Sequence, residues 1–192
     1  VLFRSFLSGE DWPTWGRNSS RNMVSPEKGI SFDFDPGSVQ SDESVDMNST
    51  KKVKWVAKLG SQAYGNVTIG EGRALVGTNN ESPRDPQKKG DRGIVMCFDE
   101  RDGSFEWQLV IPKLGAGKVS DWEYIGVCSS PAIENGKAYL VTNRCEVVCL
   151  DLDGLKNGNQ GSFQEEERYL RTNGTLDPLN SDLDADVLWS YD

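Results

Sequence analysis

The 192-residue chain contains no histidine. Histidine is the side chain that most often acts as a general base near neutral pH, and it is the most common metal ligand in proteins. Its absence removes the Ser–His–Asp arrangement and the usual histidine-containing zinc sites. Any catalysis by this chain would therefore depend on carboxylates, Lys, Tyr or Cys, or on a bound cofactor.

Basic residues are also few. Lys and Arg together number 21 against 30 acidic residues, which gives a net charge of −9 and a pI near 4.6. Nucleic-acid binding requires a basic surface, so this balance argues against a nucleic-acid partner and against a polybasic membrane-binding face. No stretch approaches the ~18 apolar residues that a membrane-spanning helix needs. We therefore expect no membrane-spanning segment.

What the chain does contain is an internal repeat. The stretch that begins at Pro131 matches the stretch that begins at Val67 without a gap over thirteen residues, through Asn143 and Asn79 respectively. A second block, 146–151, matches 94–99, and the earlier copy carries about twelve extra residues at 80–92. Tight turns such as Asn135-Gly136 separate short alternating segments in each copy, a pattern typical of β-hairpins.

Each copy predicts four strands, the last of which carries a tryptophan. The first copy predicts strands at 63–69, 73–79, 94–99 and 105–110, with Trp107 in the last. The second predicts strands at 127–134, 137–143, 146–151 and 186–191, with Trp189. An orphan strand with Trp55 precedes them. We expect Trp55, Trp107 and Trp189 to be structural, with Trp107 and Trp189 docking each outer strand against its own unit. Four strands per repeat unit are typical of propeller blades; the alternative is a β-sandwich whose hairpins are similar by coincidence.

The segment CSSPAIENGKAYLVTNRCEVVCLD, with its glycine turn, closing Leu-Asp and later Trp, resembles the pyrroloquinoline-quinone-type (PQQ-like) β-propeller repeat. Together with the opening DWPTWGRNSSRNMVS it is most similar to exported, planctomycete-type members of that family. The resemblance implies an all-β propeller of seven or eight blades when complete, and a periplasmic or otherwise exported location. It identifies a fold better than an activity, because one fold serves many functions.

Two units are fewer than a closed propeller needs. We therefore expect this chain to be the amino-terminal part of a longer protein, whose remaining blades would be partners of the two present. The predicted organisation is an amino-terminal extension with a Trp motif at 1–52 and a partial propeller at 53–192. Blade one covers about 61–111 and blade two about 126–192, with a long polar excursion at 154–184.

The cysteines give one open question. Cys97 and Cys149 occupy equivalent positions and are expected to be buried thiols. Cys145 and Cys149 are ~13 Å apart along one strand and cannot form a bond. Folding back through the Asn135-Gly136 turn places Cys128 roughly opposite Asn143, beside Cys145. The geometry therefore allows a disulfide between Cys128 and Cys145, which would indicate an oxidising compartment.

The connections after the second and fourth strands should emerge on one face, together with the start of each first strand. The ligand-contact candidates on this face are Tyr64, Asn66, Asn79, Arg84, Trp122, Asn143 and Arg144. The alternative is that these are solvated loops with an anchoring Trp. The leading hypothesis is a non-catalytic binding or scaffold module for a protein or small ligand.

The resemblance also implies a second hypothesis, the amino-terminal part of a PQQ-dependent quinoprotein dehydrogenase that oxidises an alcohol or sugar. The cofactor would be PQQ with calcium, bound at the mouth of the central channel of the propeller. Such dehydrogenases carry an adjacent Cys-Cys pair, and this chain has none. No catalytic residue and no metal ligand is predicted within the chain itself.

Overall fold

The computed structural model describes residues 2–5, 9–29, 32–115, 119, 121–167, 171–172, 175–176 and 179–192. Over these residues the chain is all-β, as predicted, with short 3-10 turns such as Met47–Ser49 and Gly154–Asn157. The strands lie in two four-stranded antiparallel sheets and two two-stranded pairs.

The first four-stranded sheet, sheet I, contains the first copy of the repeat in sequential order. Its strands are β3 (Thr68–Gly70), β4 (Arg73–Asn79), β5 (Arg92–Asp99) and β6 (Phe105–Pro112). The β3–β4 turn has positive φ at both central residues, 52° at Glu71 and 77° at Gly72. A two-residue hairpin of this kind follows the right-handed twist of the strands that it joins.

The second four-stranded sheet, sheet II, contains the second copy. Its strands are β7 (Ala132–Glu134), β8 (Lys137–Val141), β9 (Val147–Asp151) and β12 (Val187–Tyr191). Its first turn repeats the same conformation, with φ of 53° at Asn135 and 73° at Gly136. The predicted strand order is confirmed in both sheets, although the first strand of each is only three residues long instead of seven or eight.

The two sheets stack face to face, and their shared core holds the molecule together. The face of sheet I that packs against sheet II carries the cross-strand row Leu75, Cys97 and Trp107, all at most 1% exposed. Sheet II covers this row with apolar residues of alternate positions, and the members of that face are Ile133, Ala138, Leu140, Val148, Leu150 and Val187. Burial of apolar surface between sheets is the dominant favourable term in such a fold.

One tryptophan contact occurs twice. Trp107 on β6 donates from Nε1 to the carbonyl of Leu152, just after β9 of the next sheet, at 2.9 Å, and its ring packs on Gly154. Trp55 on β2 (Val53–Ala57) makes the equivalent bond to the carbonyl of Glu100, also at 2.9 Å, with its ring on Gly103. Both glycines have positive φ and no room for a Cβ against the ring. Each tryptophan thus docks on the following unit, so the expectation that Trp107 docks β6 against its own unit is wrong.

The expectation that Trp189 docks β12 against its own sheet is wrong. Trp189 is 39% exposed, and its ring lies 6.2 Å from the ring of Tyr139 on the outer face of sheet II. The reason is positional: Trp107 is buried because sheet II covers it, and the described residues place nothing equivalent over Trp189.

The other face of sheet I is covered by β2. Trp55, Ala57 and Leu59 pack against a second apolar cluster whose sheet I members are Ala74, Val76, Ile94, Met96, Phe98 and Val110. β2 in turn pairs antiparallel with β1 (Leu2–Ser5). Sheet I is therefore apolar and buried on both faces.

The amino-terminal Trp motif joins the inner edges of the two sheets. Trp12 pairs with Ile69 of β3 through two backbone hydrogen bonds, of 2.7 and 3.0 Å. The carbonyl of Pro13 accepts a hydrogen bond of 2.7 Å from the backbone N–H of Ile133 on β7. This segment satisfies edge backbone groups that both first strands would otherwise leave unpaired.

The carboxyl-terminal part of the polar excursion covers the outer edge of sheet I. The backbone N–H of Gln108 on β6 donates to Leu183, and the N–H of Ala185 donates to Gln108, which makes a short parallel bridge to Asp184. The second two-stranded pair, β10 (Arg171–Thr172) and β11 (Thr175–Leu176), lies within the same excursion. The segment that the sequence predicts as a loop thus contacts the edge of sheet I through one isolated parallel bridge.

Candidate ligand-binding site

One end of the two sheets carries three connections, and we call it the loop end; the longest connection, between β9 and β12, leaves sheet II at the opposite end. The loop end comprises the segments 80–91 between β4 and β5, 113–131 between the sheets, and 142–146 between β8 and β9. The opposite end carries the tight turns β3–β4 and β7–β8. The loop end is where the sequence places its ligand-contact candidates.

The segment 121–124 is held in place through its backbone. The carbonyl of Trp122 accepts a hydrogen bond of 2.6 Å from the Nζ of Lys113. The N–H of Tyr124 donates to Oδ2 of Asp91 at 2.9 Å, and its carbonyl accepts from Nδ2 of Asn79 at 2.6 Å. Three side chains from three different segments therefore fix this one loop.

Tyr124 has an unusual backbone conformation. Its φ is +58°, in the left-handed region that a bulky aromatic residue rarely adopts. Such a conformation costs on the order of 1–3 kcal/mol and persists only where surrounding contacts impose it. Here the contacts of Asp91 and Asn79 with the Tyr124 backbone are the ones that impose it.

The polarity of this loop is inverted. Asp121 is turned inward, with its side chain 5% exposed; it pairs with Lys113 at 2.5 Å and accepts from the N–H of Leu114 and from Asn143. The aromatic side chains point outward instead, Trp122 at 61% and Tyr124 at 48% exposure. An ordinary solvated loop shows the opposite arrangement, with charges outside and aromatics inside. We call Trp122 and Tyr124 the aromatic platform.

Asn79 is buried and Arg84 is half-buried, and both contact protein groups. Asn79 is fully buried; its amide donates to Ser61, Glu81 and Tyr124, and its carbonyl oxygen accepts from the N–H of Ser61. The guanidinium of Arg84 donates to the carbonyl of Lys58 and lies 5.5 Å from the centre of the Phe105 ring. Burial lowers the pKa of Arg84. Both residues position loops and do not face a ligand.

Asn143 and Arg144 contact the residues that precede the aromatic platform in the chain. Asn143 donates to the carbonyl of Pro112 and to Asp121, while its Oδ1 is buried without a hydrogen-bond partner. Arg144 donates from one guanidinium nitrogen to the carbonyl of Lys113 at 3.1 Å. These residues fix the ends of the 113–121 connection.

Tyr64 and Asn66 lie next to the start of sheet II. Tyr64 is 61% exposed, and the N–H of Asn66 donates to Oγ of Ser130 at 2.8 Å. Of the seven predicted contact residues, Tyr64 and Trp122 therefore present large exposed side chains. Tyr124 was not predicted as a contact; the signal for it is an aromatic residue two positions after Trp122 in a loop between strands.

The disulfide between Cys128 and Cys145 is not formed in this structure. All four cysteines are free, with Cys128 and Cys145 exposed and Cys97 and Cys149 buried as expected. The β7–β8 ladder ends at Ala132–Tyr139, four residues short of Cys128, and Cys145 occupies a turn with φ of 65°. The strand pairing that would bring the two thiols side by side is therefore absent.

A buried group of charges that the sequence does not indicate lies away from the loop end's surface. The Nζ of Lys88, 1% exposed, contacts both carboxylate oxygens of Asp184 at 2.5 and 2.6 Å, and burial raises the pKa of Asp184. Nearby, Asp186 is fully buried, and burial, with the charge of Glu166 adding to it, raises the pKa of Asp186 to about 6. These groups attach the excursion to sheet I.

A scan against protein-family models matches no family, and a search of curated proteins finds no similar sequence. Within the part of the chain that the structure describes, no helix is long and apolar enough to cross a membrane. The same residues contain no group of three or more Cys, Asp or Glu side chains arranged to hold a metal ion. The fold and site thus define an all-β protein with two stacked four-stranded sheets and an aromatic surface at one end.

Proposed function

We propose that this chain is a non-catalytic binding module that recognises a protein or small-molecule ligand through the aromatic platform at its loop end. The observation that carries the proposal is the inverted loop 121–124, in which buried polar residues hold exposed aromatic ones. Aromatic residues on a fixed backbone lose little conformational entropy when they bind, which is why Trp and Tyr dominate binding hot spots.

The cost of this arrangement also supports a binding role. The loop keeps Tyr124 in a strained conformation and leaves two large apolar surfaces in water, and neither feature contributes to folding stability. Strain and exposed aromatic surface concentrate at ligand-contact sites, where binding compensates for them. Tyr64 is a further large exposed aromatic side chain, beside the start of sheet II.

We further propose that the two sheets are successive blades of a PQQ-like propeller, in an exported protein with further blades. The support is the repetition of the inter-sheet contact: Trp55 and Trp107 dock in the same way on successive units. Export is a prediction of the family resemblance. In this arrangement the loop end is one face of the propeller.

The PQQ-dependent dehydrogenase stays the alternative, and it rests on the resemblance. The residues present do not fit a quinone at this face. Asn79 and Arg84, which the sequence predicts as ligand contacts, already bond protein atoms. No catalytic step is therefore assigned to this chain.

The binding proposal is tested with the Trp122→Ala variant. A displayed random-peptide library and a small-molecule fragment library are the two probes, applied to the immobilised or isotope-labelled chain. We expect ligands selected on the wild type to lose at least about tenfold in affinity on Trp122→Ala, the effect of removing a hot-spot aromatic residue. Trp15→Ala is the matched control, because Trp15 is 50% exposed but lies on the amino-terminal segment.

The unfolding free energy of Trp122→Ala should stay within about 0.5 kcal/mol of wild type, as is usual for an exposed side chain. Ligands that bind Trp122→Ala as tightly as the wild type, or selections that yield no ligand at this loop, would contradict the proposal.

A further inference from the structure

A lysine and an aspartate lie against each other inside the protein, where the excursion attaches to sheet I. Lys88 lies between β4 and β5 and is 1% exposed, and Asp184 precedes β12 and is 4% exposed. The Nζ of Lys88 lies 2.5 and 2.6 Å from the two carboxylate oxygens of Asp184. Because the nitrogen is almost equally close to both oxygens, it lies within about 3 Å of the carbon that they share, the range of a near-attack conformer.

Burial favours the uncharged forms of this pair. Taking an ammonium and a carboxylate out of water penalises both charges, and burial accordingly raises the pKa of Asp184. Transfer of one proton from the Nζ of Lys88 to Asp184 turns the ion pair into an amine and a carboxylic acid, with no charge left. The amine has a free lone pair and is a nucleophile, whereas the ammonium is not.

A third group, Asp85, completes the arrangement. Its Oδ2 lies 3.7 Å from the Nζ of Lys88, its side chain is 10% exposed, and its charge also acts on Asp184. A carboxylate beside both reacting groups can take a proton from the nitrogen and deliver it to a leaving oxygen, which is general acid–base catalysis. Contacts of this kind are often long before the reacting groups close together.

Condensation of an amine with a carboxylic acid releases one water, and the structure has room for it. A cavity of about 10 Å³ lies against Asp184, with an apolar lining that includes Leu109, Val110 and Leu179. This is about the volume that one water molecule needs. Gln108 also lines the cavity, and its Oε1 is buried without a hydrogen-bond partner among the described residues. The apolar lining limits the access of bulk water, which would hydrolyse the product.

We propose that Lys88 and Asp184 form an intramolecular isopeptide bond in the folded chain, with Asp85 as the proton carrier. The lone pair of Nζ forms a bond to Cγ of Asp184, and the bond between Cγ and the hydroxyl oxygen of the acid breaks. Asp85 takes one proton from the nitrogen and gives it to the leaving hydroxyl, which departs as water. The step is a dehydration and needs no oxidant or reductant.

The bond joins two segments that are 96 positions apart in the sequence. It would hold the excursion on sheet I even when the hydrogen bonds between Gln108 and the segment 183–185 open. This role is independent of ligand binding at the loop end. Until the bond forms, Lys88 and Asp184 are an ion pair. Asp85→Asn holds them in that state, in which the free energies of unfolding of Lys88 and Asp184 variants are compared.

The experiment measures the intact mass of the complete chain. The chain is isolated from inclusion bodies in urea, refolded by dilution, and sampled into denaturant over time. We expect the wild type to become lighter by the mass of one water. Trypsin should then release a branched peptide that joins residues 85–89, uncleaved at Lys88, to the peptide that follows Arg171, with the branch at Asp184.

Three variants separate this bond from other causes. Lys88→Arg keeps the positive charge, but a guanidinium is not deprotonated in proteins and is no nucleophile, so this variant should keep its full mass. Asp85→Asn should slow the loss of water by at least about 100-fold. Lys156→Arg is the matched control, because Lys156 forms an exposed ion pair of 2.6 Å with Glu106; this variant should lose water as fast as the wild type.

A refolded wild type that has native strand content and keeps its full mass over days would overturn the proposal and leave an ion pair only. Loss of water in Lys88→Arg would also overturn it, since the dehydration would then lie elsewhere, for example at Asp102-Gly103. If Lys88→Arg does not fold, the branched peptide of the wild type decides, because it identifies both joined residues. Ligand binding through Trp122 is the same in every case, so failure here is distinct from failure of the binding proposal.

Discussion

Trp107 and Trp189 offer a direct test of the stacking described above, because they are the same residue at the same strand position in two copies of one repeat. Trp107 is 1% exposed between the sheets and donates a hydrogen bond to Leu152. Replacing it by Ala should lower the free energy of unfolding by about 3–5 kcal/mol, the usual cost of emptying a buried aromatic site. That figure includes about 1 kcal/mol for the lost hydrogen bond.

Trp189→Ala removes the same atoms from a side chain that is 39% exposed. Within the described residues its aromatic contact is with Tyr139, which lies on the next strand but one, across Cys149. An aromatic pair contributes roughly 0.5–1.5 kcal/mol. We therefore expect Trp189→Ala to cost about 1 kcal/mol, several-fold less than Trp107→Ala. The assay is urea unfolding followed by far-ultraviolet circular dichroism, with both variants compared at equal m value.

Equal losses at the two positions would refute this reasoning. They would mean that burial between the sheets contributes little at Trp107, or that Trp189 is covered in solution. A loss below about 1 kcal/mol at Trp107 would show that this side chain is not part of the core.

Three further predictions follow from the buried charges and the cysteines. Lys88→Met should lower the unfolding free energy by about 3–5 kcal/mol at neutral pH, because Asp184 is left buried without its cation; a double-mutant cycle with Asp184→Leu should recover most of the loss, and additive losses would contradict the pair. The pKa of Asp186, raised by burial to about 6 from 3.8, is higher in the folded than in the unfolded state. Its ionisation therefore opposes folding: stability should fall as the pH rises from about 4 through 6, by about 3 kcal/mol at most, since each pKa unit corresponds to about 1.4 kcal/mol. Asp186→Asn should flatten that decline in pH-dependent unfolding curves, and an unchanged decline would assign it to other groups. Finally, a thiol reagent should label Cys128 and Cys145 in the native chain and the other two cysteines only after unfolding; one labelled thiol or four would contradict the burial found here.

The strands could be predicted from the sequence because local signals agree with one another. Alternating apolar residues, the Glu71-Gly72 and Asn135-Gly136 turns and the repeated tryptophan all indicate the same hairpins. The first strands were predicted too long, because the prediction extended them over Gly65, Asn66 and Pro131, which belong to residue types that are depleted in strands.

The site was predicted only in part, for a different physical reason. The sequence does not show whether a polar loop residue faces solvent or forms hydrogen bonds with backbone groups of its own chain. Asn79 and Arg84 hold the backbone, whereas Trp122 faces solvent, and only the geometry of 121–124 separates the two cases. Lys88 is the clearest example: lysine is among the least often buried residues, and its partner Asp184 is 96 positions away.

The bridge between Gln108 and the segment 183–185 has a consequence for the order in which the chain becomes structured during synthesis. All four strands of sheet I are complete at Pro112, yet within the described residues the N–H and C=O of Gln108 on the outer edge of β6 bond to residues made more than seventy positions later. Ribosomes add about 5–20 residues per second. The nascent chain therefore carries a strand edge without these bonds for several seconds, which is the interval in which a chaperone, or a second nascent chain, would encounter it.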